Sequence, residues 1–203
     1  MAINLSKGQR ISLEKQDGGT LDYIEIGVNW GAIEKKGLFG GKKHVAVDLD
    51  ASVGLFDAQG KLVDTVYFGK LESSCGSIKH SGDDRVGDTG GDDGQDNETI
   101  QIDLKRIPAN VDKLALVLNS FSMQNFGDIP FAGIRIHDGK AGTGSVFATF
   151  DVANDPSFSG RVSMIMGSLY RHGDSWKFRS IGAAISEKKL QDSLGAFARD
   201  YAN

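Results

Sequence analysis

Apolar residues in this chain recur at every second position far more often than at helical spacing. Ile24, Ile26, Val28 and Trp30 alternate with polar or small neighbours, and Val45, Val47, Leu49, Ala51, Val53 and Leu55 keep the same period. Successive side chains of an extended strand point to opposite faces, so this alternation marks strands with one buried face. Asp57-Ala58-Gln59-Gly60 reads as a turn, followed by an apolar run from Leu62 to Phe68. Ile100, Ile102 and Leu104 face one way, while Thr99, Gln101 and Asp103 face the other. Further strand-like runs cover Leu114 to Leu118, Gly133 to His137, Val146 to Val152, Val162 to Tyr170 and Trp176 to Ile181. Asp138-Gly139, Asp155-Pro156 and His172-Gly173-Asp174 separate them as turns. Many short strands without intervening helices predict an all-β sandwich or barrel.

Only the C-terminal stretch changes period. Leu190, Leu194, Phe197, Ala198 and Tyr201 fall on one helical face, with Ser186 placed as N-cap. This predicts an amphipathic helix of about four turns over 186–203, packed on the edge of a β domain spanning 1–185. A length of 203 residues and a hydrophobic content of 39% are enough for one buried core. The opening MAINLSKGQR has no apolar h-region, and no apolar run reaches membrane-spanning length. A lone cysteine, Cys75, forbids an internal disulfide and fits a reducing compartment, so the expected location is the cytoplasm. The mild acidic balance argues against nucleic-acid binding.

Charge is distributed unevenly. Between Ser81 and Glu98 the chain reads SGDDRVGDTGGDDGQDNE, with seven carboxylates, five glycines and one base, Arg85. That segment carries −6 against −4 for the whole chain, which leaves +2 elsewhere. Such crowding is tolerated when the segment stays solvated or when a cation binds there. Upstream, Asp48-Leu49-Asp50 places two carboxylates on one face of a predicted strand, about 7 Å apart. Strand and loop together offer enough oxygen donors for two calcium ions. The loop does not fit an EF-hand: with Gly94 at the sixth position, Thr89 would stand first and Ile100 twelfth.

These segments resemble a known family. Leu5-Ser6-Lys7-Gly8-Gln9, Ile26-Gly27-Val28-Asn29-Trp30, Asp48-Leu49-Asp50-Ala51-Ser52 and His80-Ser81-Gly82-Asp83-Asp84 look like the TerD-type tellurium-resistance and stress-response family. The Gly/Asp loop leading into Glu98-Thr99-Ile100, the Leu116 to Ser120 and Phe131 to Ile136 segments and SMIMGSLYRHGDSWKF continue the likeness over nearly the whole chain. The resemblance implies a non-enzymatic, calcium-binding β-sandwich of two mainly antiparallel sheets, active in tolerance of tellurite, phage and colicins. It implies other Ter-type partners, among them an integral membrane Ter protein that would hold the chain at the inner membrane. No nucleic acid or small-molecule substrate is implied.

Carried over residue by residue, Asp48 and Asp50 match the family's strand ligands, and Asp83 and Asp84 its loop entry. Asp96, Asn97 and Glu98 match the acidic triplet at the loop exit. The loop is longer than the family pattern. Asp88 and Asp93 join the expected ligand set, but Asp88, Asp92 and Asp93 align equally with ligands or with a solvated insertion. Gly31 follows Trp30 where many members carry Asp, and KKGLFGGKK intervenes before Asp48. Both departures point to a branch near the TerX- or TerZ-like members.

Other residues receive plainer readings. Cys75 has no cationic neighbour nearer than Lys79 and reads as an incidental thiol. His44, His80, His137 and His172 lack metal-ligand spacing, and His80 reads as a hydrogen-bonding support for the loop. Lys35, Lys36, Lys42 and Lys43 flank Leu38-Phe39 in a Gly-rich insertion that reads as a basic, solvated tip. HVAVDLDAS also resembles the nucleophile motif of magnesium-dependent phosphatases, which needs a parallel α/β sheet. A calcium-dependent membrane-docking module is the other alternative. Val86, the only apolar side chain in the acidic loop, gives it little to insert.

Overall fold

The computed structural model describes residues 2–15, 18–36, 41–139, 145–151 and 156–202. Its strands are β1 (Ile3–Asn4), β2 (Arg10–Ser12), β3 (Tyr23–Trp30), β4 (Ile33–Lys36), β5 (Lys42–Val45), β6 (Leu49–Phe56) and β7 (Leu62–Val66). They continue as β8 (Ile78–His80), β9 (Glu98–Asp103), β10 (Lys113–Ser120), β11 (Ala132–Asp138), β12 (Ser145–Asp151), β13 (Ser163–His172) and β14 (Ser175–Ile185), before one helix, α1 (Leu190–Asp200). One sheet runs β1-β12-β11-β3-β9-β8 and the other β2-β14-β13-β10-β6-β7. Within these sheets every neighbouring pair is antiparallel except β1 beside β12. The all-β class expected from the alternation is thus the class that forms.

The two-residue period shows how the layers meet. Ile24, Ile26, Val28 and Trp30 of β3 share a core with Val53 and Leu55 of β6 and with Leu114, Leu116 and Leu118 of β10. The intervening Ala115 and Val117 face the other way, into a second cluster with Phe56, Ile165, Leu194 and Phe197. Strand β10 is therefore apolar on both faces because α1 covers its outer side. Gly54 marks the closest approach: a side chain there would meet Leu194 at 2.6 Å.

Three expectations change. The run from Val45 to Leu55 is not one strand: Val45 ends a ribbon, β4 paired with β5, and the next strand starts at Leu49. Between them the Val47 amide bonds the Val86 carbonyl at 3.0 Å, so this extended segment pairs with the acidic loop rather than a sheet. Asp48 thus precedes the strand that carries Asp50. Helix α1 is 11 residues long, about three turns, and Ser186 does not cap it. The Ser186 hydroxyl reaches Glu187, and Lys189 occupies the cap position without a side-chain bond. The insertion read as a solvated loop forms the β4–β5 ribbon, while Leu38 and Phe39 lie outside the described residues, as do Val152 and Asp155. Among the described residues no helix is long and apolar enough to cross a membrane.

Candidate metal centre

Strands β8 and β9 pair through Ile78↔Ile102 and His80↔Ile100, so residues 81–97 form the long loop between two neighbouring strands. Backbone bonds pin that loop across one end of the sandwich. The Ala32 amide donates to the Asp88 carbonyl at 2.8 Å, the Asp88 amide to Trp30 at 2.9 Å, and the Asn97 amide to Val28 at 2.9 Å. At Gly87 the backbone turns left-handed, with φ +70°, and lies so close to the Trp30 indole that a Cβ would sit 2.6 Å from it. The indole N–H in turn donates to the Val47 carbonyl at 2.8 Å.

Pinning brings carboxylates together in two groups. Asp48, Asp50 and Asp83 each offer an oxygen, and these atoms lie within 4.8 Å of one another. Asp88, Asp92 and Asp93 form a second group on the same criterion. In the first group Asp48 Oδ1 is buried and has no hydrogen-bond partner. The nearby cation, Arg85, is exposed, and its Nε bonds Asp83 at 2.8 Å. Burial, the Glu98 carboxylate and then Asp48 and Asp83 push the Asp50 pKa up to about 7. Burial and Asp83 raise Asp48 as well. A carboxylate raised this way is one the protein fails to neutralise with its own groups.

The second group is better compensated. Arg135 Nη2 grips both oxygens of Asp92 at 2.9 and 2.8 Å. Burial raises the Asp92 pKa, but the Gly94 amide and Arg135 outweigh it and hold that carboxyl below its ordinary value. Asp88 accepts from Asn29 and Asn97, each at 3.1 Å, and Asp93 accepts from the Gln95 amide at 2.8 Å.

The remaining expected ligands lie outside both groups or do other work. Asp84 Oδ1 accepts the Val86 and Gly87 amides at 2.8 and 3.1 Å and so shapes the turn. Asn97 Oδ1 accepts the Trp30 amide at 2.8 Å. Asp96 rests on Gly27, where a Cβ would overlap it at 2.0 Å, and is clamped by Arg135 Nη1 and His137 Nε2, both at 2.8 Å. Glu98 is wholly buried, with Oε2 accepting the Ala51 amide at 2.8 Å and Oε1 the Asp84 amide at 3.2 Å.

His80 has the supporting place expected of it. Its Nδ1 accepts the Gly82 amide at 3.0 Å, which puts the proton on Nε2, 2.9 Å from the Ala51 carbonyl and 3.4 Å from Glu98. Burial pulls its pKa down, but the Glu98 hydrogen bond and charge outweigh that and leave it raised. Cys75 is half-buried between two serines. Burial pushes its thiol up, while the hydroxyls of Ser73 and Ser77, at 3.4 and 2.9 Å, bring it below its ordinary value.

Sequence reasoning missed the Arg135–His137 clamp. Its only trace was outward alternation with Ile134 and Ile136, which names no partner. It also missed an apolar patch of Phe68 and Phe121, exposed by 38% and 64%, whose rings meet and whose Phe121 backbone lies against that of Asp48. Phe121 stands there because its amide bonds the Asp48 carbonyl at 2.9 Å. The phosphatase alternative fails on fold: the strand after Asp48 is antiparallel to both neighbours.

Fold and site together define an all-β sandwich with two carboxylate groups gathered on and beside one long loop. The TerD domain family matches residues 1–201. The chain is 38% identical to the tellurium resistance protein TerZ of Serratia marcescens, over 94% of each chain. It is 36% identical to the stress response protein SCP2 of Bacillus subtilis, over 97% of this chain and all of that one. A solved homologue of a telluride resistance protein (TerD) from Streptomyces coelicolor superposes with a TM-score of 0.62 at 16% identity, covering 90% of this chain and 98% of that one, and so shares the fold. The chain belongs to the TerD family of tellurium-resistance and stress-response proteins.

Proposed function

We propose that this protein is a calcium-binding, non-catalytic component of a stress response, and that Asp48, Asp50 and Asp83 hold its first ion. The observation that carries this reading is the Asp48 carboxylate, which has a buried, unpartnered Oδ1 and offers an oxygen within 4.8 Å of oxygens of Asp50 and Asp83. An all-oxygen donor set suits a hard cation, and Asp50 supplies charge that needs one. Asp88 and Asp93 serve a second ion, with Asp92 committed to Arg135. In this reading Asp96 and Glu98 shape the loop rather than ligate. The ordered acidic end would then present a fixed surface to Ter-type partners, including a membrane-embedded one, on the cytoplasmic side.

Calorimetric titration of chelator-treated protein with calcium and with magnesium tests this. Saturable calcium binding with a weaker magnesium response is expected, and Asp50→Asn should remove the tighter event. Absence of calcium heat, or an unchanged isotherm in Asp50→Asn, overturns the assignment.

The apolar patch favours a second reading, calcium-dependent docking to a membrane. Phe68 and Phe121 stack edge to face at 5.8 Å, with Tyr67 against Phe68 at 5.4 Å, and this surface adjoins Asp48. Sedimentation with phosphatidylserine vesicles should then require calcium and be lost in Phe121→Ser. Vesicles left unbound with calcium present would remove this reading and leave the first untouched.

A further inference from the structure

The outer face of the β10–β13 sheet has two coverings. Helix α1 lies over Ala115, Val117 and Ile165, and the strands toward β2 instead floor an open cavity of about 490 Å³. Strand register decides which side chains meet there. Arg10 of β2 stands directly opposite Arg179 of β14. Lys177 lies two residues from Arg179 on the same face, in line with Tyr170 and, one strand further, Lys113. Tyr201, just past the helix, completes the wall.

This arrangement lacks a counter-ion. Among the described residues no carboxylate lines the cavity. Lys113 is already paired with Asp112 at 2.6 Å, which leaves Arg10, Lys177 and Arg179. Arg179 Nε is buried with no hydrogen-bond partner. Like charges directly opposite on neighbouring strands repel, and a buried guanidinium N–H without an acceptor is costly. Three such cations on one face of a chain with net charge −4 call for an anion from outside.

We propose that this cavity binds a small phosphate monoester. Two guanidinium forks and an ammonium match a dianionic phosphate, and Arg179, which lines the cavity, keeps one Nε donor without an acceptor. The Ser168 hydroxyl, on the cavity floor beside Arg179, adds a neutral donor. Tyr170 and Tyr201 give the ester's organic group an aromatic wall. The volume falls in the range of small-molecule sites. The site lies on the opposite sheet from the Asp96 clamp and does not depend on the calcium reading.

The probe is phenyl phosphate, a weak calcium chelator, added to the full chain in calcium-containing buffer, with phenol as the uncharged control. Nitrogen-15 NMR should show saturable shifts confined to Arg10, Lys177, Ser168 and the Arg179 Nε–H, and none with phenol. Arg179→Gln and Lys177→Gln should each weaken binding about tenfold or more, while Lys177→Arg retains it. Dispersed amide spectra and an unchanged calcium response in these variants would show an intact fold. A response to phenol equal to that of phenyl phosphate, shifts located elsewhere, or undiminished binding in Arg179→Gln overturns the proposal. Phosphatidic acid vesicles form a separate arm: if they bind while phenyl phosphate does not, the ligand is a headgroup and the small-molecule assignment fails.

Discussion

Glu98 accepts the amide hydrogen of Ala51 at 2.8 Å, and that bond joins the two sheets at the acidic end. Glu98 opens β9 in one sheet and Ala51 lies in β6 of the other, one residue after Asp50. Its second oxygen holds the Asp84 amide at 3.2 Å, and His80 closes the arrangement from the side. A wholly buried carboxylate that serves two amides and an imidazole is a structural linchpin. Glu98→Ala should cost about 3–5 kcal/mol in chemical denaturation, because the buried donors lose their acceptor. Glu98→Gln, which keeps an acceptor oxygen, should cost less than half as much. Equal losses would mean that the charge, not the geometry, joins the sheets.

Asp48 and Asp50 work in the opposite sense. Without an ion their carboxylates repel each other and Asp83, so the site holds destabilising charge. Asp48→Asn should therefore raise the melting temperature of chelator-treated protein by about 2–4 °C, a gain of roughly 1 kcal/mol for a chain of this size. The same change should abolish most of the calcium-induced rise, which for wild type is about 5–10 °C at a hundredfold excess over Kd. Thermal melts of both proteins, with calcium and with chelator, read the two signs together. A variant less stable than wild type in chelator would contradict the repulsion argument.

Asp96 separates clamping from ligation. It lies on the open face of Gly27 and is held by Arg135 and His137, which stand on β11 opposite Gly27 and Glu25. Asp96→Asn takes the charge from the pair with His137 and from one of Arg135's two carboxylate partners, Asp92 being the other, at a site where the Asp96 side chain is only 4% exposed. A loss of about 2–4 kcal/mol is expected. Calcium stoichiometry by calorimetry should be unchanged. If a binding event disappears instead, Asp96 is a ligand and the clamp is secondary.

The contrast between these residues shows what a linear reading can reach. Ile24, Ile26, Val28 and Trp30 alternate because one face of β3 is buried, and that regularity needs no partner to be seen. Asp48, Asp50 and Asp83 stood out through charge crowding, which is also local. Asp92 and Asp96 sit in the same crowd, yet Arg135, about forty positions away in sequence, neutralises them both. That pairing follows from sheet order, which alternation does not encode. The Val45–Leu55 run failed for a related reason: extended backbone keeps its period whether it bonds a sheet or, as at Val47, a loop. The basic cavity is hidden in the same way, since Arg10 and Arg179 become neighbours only through the β2–β14 register.

Asp64 provides a pH test away from the metal centre. On β7 it receives the Lys70 ammonium together with the amides of Ser74 and Thr65 at 2.7 and 2.8 Å, and so ties the chain between β7 and β8 to the sheet edge. Burial pushes its pKa up, but Lys70 and the two amides outweigh this and hold it below the ordinary 3.8. A depressed carboxyl pKa means that the unfolded chain takes up the proton more readily. The contribution is therefore complete above about pH 4–5 and fades as pH falls through the lower folded value. Lys70 is 41% exposed, so screening reduces the pair's worth, and Asp64→Asn should cost about 1–2 kcal/mol at pH 7. Urea denaturation of wild type and variant at pH 7, 5 and 3 should give curves that separate equally at the first two values and draw closer at the third. A gap that persists undiminished at pH 3 would show that Asp64 acts through packing rather than through its charge.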